Sequence, residues 1–173
     1  MIRPAMIRPL AEIGLMIVVW AGLIGLPATA HALEADWRWL EIPQSHTSLE
    51  YPAGLLAATG PSETGTGETF RSQDGNVMLS VYGQPNRTGE TPAGYLENNL
   101  RVSPSAIEYK RVTRTFFAIS TEREGMVYYS RCNFSSGAPG VLHCFDLAYP
   151  QREKPVWDTI VTRISRSLRP LEG

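Results

Sequence analysis

Lysine is nearly missing from this chain, histidine is scarce, cysteine occurs twice, and no run of like charges appears anywhere. Each shortage removes a class of function. Lys110 and Lys154 are the only lysines, and the arginines are scattered over every segment, so no basic patch is laid out for a polyanion and nucleic acid is not an expected partner. Beyond the N-terminal region only His46 and His143 remain, too few to suggest a metal centre. No G-x-S-x-G turn is present to expose a serine nucleophile. The loop Gly60-Pro61-Ser62-Glu63-Thr64-Gly65-Thr66-Gly67 has glycines but neither the lysine of a phosphate loop nor a helix signal after it. No metal and no cofactor is expected.

What is present begins with a leader. Arg3 and Arg8 precede an apolar run at residues 13–26, followed by Pro27 and Ala28-Thr29-Ala30-His31-Ala32. Basic start, apolar middle and A-x-A exit are the parts of a secretory signal peptide covering residues 1–32, with the cut expected between Ala32 and Leu33. A retained anchor is the rival. At ~1.5 Å per residue the apolar stretch covers roughly 21 Å of a ~30 Å hydrocarbon core, so cleavage is favoured and no stable membrane insertion is expected afterwards. No cysteine follows the run, and the repeat of Met1-Ile2-Arg3-Pro4 as Met6-Ile7-Arg8-Pro9 leaves open a start at Met6. The expected location is the periplasm.

Cleavage removes Arg3, Arg8 and Glu12 from 16 basic and 17 acidic residues, leaving 14 against 16 and a formal balance of −2. Residues 33–173 suit one domain with one core, large enough to stand without a structural metal. The segment 37–42 alternates, with Trp37 and Trp39 on one side, and 47–52 reads as a short strand closed by Pro52. Residues 53–69 carry loop signals. Residues 69–73 and 76–82 flank Asp74-Gly75, which predicts a hairpin with a two-residue connection. Thr91-Pro92 supplies an N-cap and a first-turn proline for a helix over 92–101, with Tyr95, Leu96, Asn99 and Leu100 on one face. Strands follow at 107–111 and 115–120, a turn at 122–125, and a second hairpin from 126–134 and 141–149. Pro155 opens a closing helix whose Val156, Trp157, Ile160, Val161, Ile164 and Leu168 recur at helical spacing, with Pro170 stopping it. Strands joined by hairpins predict an α+β fold, an antiparallel sheet with helices packed on it.

This order, with Tyr51-Pro52 ending an early strand, the Asp74-Gly75 hairpin, the Tyr95/Leu96 helix and the closing Tyr149-Pro150 plus amphipathic helix, resembles the Mog1/PsbP-like superfamily. That group includes periplasmic proteins of the DcrB type and many exported proteobacterial proteins. The resemblance implies an α/β/α sandwich used for binding or assembly. It transfers no functional residue to this chain.

Cys132 and Cys144 stand equally far from Ala138 at the centre of the second hairpin, so they face each other across the strands. Directly opposed residues lie within disulfide reach, and an oxidising compartment closes the bond. A catalytic Cys144-His143 pair is the rival, but successive side chains on a strand point to opposite faces. His46 and Glu50 lack a third ligand for a metal, and Ser45 or Ser48 beside His46 lack an exposing turn. Glu122 and Glu124 crowd a turn and read as solvated. Asn86-Arg87-Thr88 and Asn133-Phe134-Ser135 match the glycosylation pattern, which arises often by chance.

Aromatics exceed what one helix or strand needs, and Trp37, Trp39, Tyr128 and Tyr129 are the candidate binding residues; no residue is assigned a catalytic role. The composition therefore favours an exported binding or accessory protein without chemistry of its own, with a protein or small-molecule partner in the cell envelope. Two alternatives stand beside it: an envelope hydrolase using His46 or His143, and an inhibitor or assembly factor presenting the 53–69 loop.

Overall fold

Strand β1 (Trp37–Ile42) turns through a 3-10 segment, Pro43–Ser45, into β2 (Thr47–Pro52), and the two pair antiparallel with Leu40 opposite Leu49. The alternation of β1 sends Leu40 and Ile42 into the core and leaves Trp39 exposed. The computed structural model describes residues 36–99, 103–135 and 140–171. The leader, its cut site, Leu100, Arg101 and the centre of the second hairpin loop lie outside them.

The chain continues through β3 (Ala57–Pro61), β4 (Thr66–Arg71), β5 (Met78–Asn86), helix α1 (Pro92–Asn99), β6 (Ile107–Val112), β7 (Phe116–Arg123), β8 (Met126–Phe134), β9 (Gly140–Pro150), helix α2 (Lys154–Ser167) and the short β10 (Arg169–Pro170). Seven strands form one antiparallel sheet in the order β3-β4-β5-β9-β8-β7-β6, and β1-β2-β10 form a second. The expected α+β architecture is what the chain adopts.

Alternate residues of the large sheet serve two different faces. On one, Leu79, Val81, Val127, Phe145 and Leu147 meet Leu40, Ile42 and Leu49 of the small sheet and Trp157, Ile160 and Ile164 of α2 in a single apolar cluster. Burial of this many apolar side chains is the main favourable term in folding. On the other face, Tyr82, Phe117, Ile119 and Leu142 pack with Leu96 of α1 around the Cys132–Cys144 bond. β9 is buried on both sides along most of its length, as befits the strand at the middle of the sheet.

Close approach of the two sheets depends on Gly83. A Cβ there would come within 2.5 Å of the Ser45 Cβ and 2.8 Å of the Thr47 Oγ1. Thr47 Oγ1 in turn shares a 2.9 Å hydrogen bond with the Nδ1 of His143, the cross-strand partner of Gly83.

The structure corrects several sequence expectations. Residues 53–69 are not one long loop: they hold β3 and the start of β4. All five residues of β3 are exposed and its pairing shifts between Ala58 and Gly60, so an edge strand with no buried face leaves no apolar period to detect. The first hairpin forms, but Asp74-Gly75 is not a two-residue connection, since the paired strands end at Arg71 and Met78. Asp74 instead accepts hydrogen bonds from the Ser72 hydroxyl at 2.6 Å and from the Asn76 amide at 3.1 Å, closing a wider loop with its side chain while Gly75 takes a left-handed φ of 73°. The 122–125 turn contracts to Glu124 and Gly125, both at positive φ, the pattern of a tight hairpin turn. Pro170 does more than stop the closing helix: with Arg169 it pairs with β2.

Candidate functional site

Among the described residues, α1 covers only part of its face of the sheet. Proline fixes the first turn of α1 and the Thr91 Oγ1 accepts from the Gly94 amide at 3.2 Å, but the described helix has eight residues and cannot span seven strands. Tyr95 and Leu96 lie over one half of the face. Tyr95 stacks on Phe117 with ring centroids 5.7 Å apart and meets the edge of Phe134 at 5.9 Å. Its hydroxyl accepts from Gln84 Nε2 at 2.6 Å, and its carbonyl accepts from Asn99 Nδ2 at 3.0 Å.

Beside this cover lies a cleft of about 330 Å³, lined by Tyr82, Tyr95, Leu96, Phe117, Ile119 and Tyr128 among others. Its size is that of a small-molecule site. Asp146 of β9 stands in its lining, opposite Ser80 on one neighbouring strand and Ser130 on the other. The Ser130 hydroxyl donates a short hydrogen bond to its carboxylate. Burial raises the Asp146 pKa above the usual carboxylate value, while Ser130 and Tyr82 act in the opposite direction by hydrogen bonding to the charged form. Burial also raises the Tyr82 phenol, and the Asp146 charge adds to that rise. Among the described lining residues Asp146 is the only carboxylate, in a wall that is mainly aromatic and aliphatic with Asn99, Thr121 and Ser130 as its uncharged polar members.

The candidate binding residues fall into separate places. Tyr128 borders the cleft, half-exposed, with the Arg123 guanidinium 5.6 Å from its ring centroid. The Tyr129 side chain leaves by the other face, where it stacks on Phe145 at 5.6 Å and shares a 3.0 Å hydrogen bond with Ser165. Trp37 and Trp39 do lie on one side of β1. Arg163 sits 4.1 Å from the Trp37 ring centroid and Arg169 sits 4.3 Å from that of Trp39. A wider, open depression adjoins Trp39, Arg163 and Arg166, but Arg163 is already committed to Glu50 at 2.8 Å.

The hydroxyl that His143 meets, that of Thr47, is buried with it. His143 is buried on the α2 face, held by Thr47, and its pKa is lowered by burial and then by the charge of His46. Cys144 faces the other way and is bonded to Cys132, with Cα atoms 4.1 Å apart. Ser45 is buried and donates to Thr47 Oγ1 at 3.2 Å, while Ser48 is buried beside the Arg169 carbonyl. Glu122, expected to be solvated, receives Lys154 Nζ and Gln151 Nε2, each at 2.5 Å. No cluster of three metal-ligating side chains occurs among the described residues.

Asp146, Ser130, Tyr95 and Phe117 were not among the binding candidates read from the sequence. A signal for one existed: Asp146 interrupts the apolar run 141–149 at the centre of a strand, where an acid needs a reason. The others become neighbours only through strand order.

No family model matches the chain, and no curated protein matches it. Among solved structures it is similar to the cyanobacterial PsbP protein CyanoP from Synechocystis sp. PCC 6803, at 12% identity and a TM-score of 0.50, over 87% of this chain and 97% of that one. The likeness establishes a PsbP-like fold, as the order of elements led one to expect. No helix among the described residues is long and apolar enough to cross a membrane.

Proposed function

We propose that this protein is an exported, non-catalytic binding or accessory module of the cell envelope, related in kind to periplasmic proteins of the DcrB type, and that it works through the cleft between α1 and the sheet. The observation that carries this reading is the pairing of an aromatic cleft of ligand size with a carboxylate in its lining, away from both histidines. An acid supported by a serine and two phenols whose pKa values burial raises offers hydrogen bonding and charge, but no activated nucleophile. The leader and the disulfide fit an oxidising compartment.

Three measurements test it. Isotope-labelled protein titrated with a library of small aromatic and aliphatic compounds should show amide shifts concentrated at Tyr82, Leu96, Phe117 and Ile119. Exported protein should begin at Leu33 on N-terminal sequencing. In an assay that reveals a deletion phenotype, the His46→Ala and His143→Gln proteins should remain functional. Loss of function in either, with folding intact, would promote the hydrolase reading instead.

A further inference from the structure

The cleft also says what charge its occupant carries. Asp146 lies beside aromatic side chains of the lining, and a carboxylate has about four acceptor positions, of which Ser130 fills one. Acceptor capacity is left over. Asp146 is half-buried, and a partly desolvated carboxylate with no opposite charge beside it weakens the fold, a cost that a cation placed against it would relieve. The rings of Tyr82, Tyr95 and Phe117 add faces whose negative quadrupole attracts positive charge. An anion would meet like charge in a half-enclosed space, and a neutral apolar guest would leave the acid unserved.

From this complementarity we propose that the cleft takes an organic cation, an ammonium or guanidinium group on an aromatic or aliphatic body, with the charge against Asp146 and the body against the aromatic and aliphatic side chains of the lining. The proposal rests on the cleft being the binding site. The groups facing Asp146 are Ser80 and Tyr82 from β5, Ser130 from β8 and Tyr95 from α1; none carries a charge at neutral pH. Arg71, Lys110 and Arg123 share this face by register but stand exposed towards its margins, where salt screens them over about 8 Å. A cation bound at Asp146 holds the carboxylate ionised, so its affinity should fall as the pH drops through the raised range in which Asp146 takes up a proton.

Three probes with one aromatic body separate the cases: phenethylamine, phenethyl alcohol and phenylacetate, titrated into labelled protein. The amine should bind about tenfold more tightly than the alcohol, and phenylacetate should not bind measurably. Asp146→Asn should bring the amine down to the level of the alcohol. Equal binding of amine and alcohol to the native protein overturns the cation assignment while leaving the cleft as the site, and that comparison needs no variant. If the native protein's resonances at Leu96, Phe117 and Ile119 respond to none of the probes, the assignment and the cleft reading both fall.

Discussion

The two faces of the seven-stranded sheet are made by the same strands, yet one is a finished core and the other is not. Over the first, a 14-residue helix and a three-stranded sheet exclude solvent, and Phe145, Leu79 and Ile164 are fully buried. Over the second, the eight described residues of α1 cover part of the surface, and an acid remains beside a cleft. The difference teaches that the extent of the cover, more than the character of the strand, decides whether a sheet face becomes core or site. β9 carries both outcomes on successive residues: Phe145 belongs to the core and Asp146 to the cleft.

The sharpest way to probe the contrast is truncation on each face. Phe145→Ala should cost about 3–5 kcal/mol in urea unfolding, because its surroundings are packed on all sides. Phe117→Ala should fall at or below the low end of that range, since its side chain, though buried, already contributes to the lining of a cleft. Equal losses would erase the distinction between the faces.

Next in size is the disulfide, which ties β8 to β9 on the cleft face across a sequence separation of 12. The chain-entropy account gives about 3 kcal/mol for a loop of this length, an upper figure because the hairpin is already local. Replacing both cysteines by serine should lower the melting temperature and leave cleft binding largely intact, as calorimetry and titration can show.

Gly83→Ala tests how closely the small sheet must seat. The new methyl group meets Ser45 and Thr47 at separations no relaxed structure holds, so a loss of about 1–3 kcal/mol is expected, with the cleft unaffected. A loss of probe binding as large as the loss of stability would show that the two faces are not independent.

The smallest effects lie in pH. His143 has a pKa below its ordinary 6.5 in the folded protein, so the unfolded chain binds a proton first. Its contribution to stability is complete above pH 6.5 and declines as the pH falls from there through the folded value. Asp146 runs the other way. Its folded pKa lies above 3.8, so stability declines as the pH rises from 3.8 through the raised value, and the loss persists at neutral pH. His143→Gln should remove the first slope, and Asp146→Asn should stabilise the protein at pH 7 relative to acid. A destabilised Asp146→Asn at neutral pH would mean that the carboxylate serves the fold rather than a ligand.

Much of the architecture was legible because its causes are local. Alternation marked β1, a dense apolar stretch marked β7, hairpin signals marked β8 and β9, Thr91-Pro92 marked the start of α1, and helical spacing from Val156 to Leu168 marked α2. The symmetry of Cys132 and Cys144 about Ala138 was enough to determine their pairing, since hairpin register follows from the loop. What the sequence could not determine was the order of strands distant along the chain. Only tertiary structure set β5 against β9, which places Tyr82 opposite Cys144 and Ser80 opposite Asp146, and only it laid α1 across half a face. Period and turn chemistry act within a few residues, whereas the cleft exists because residues tens of positions apart share one incompletely covered surface.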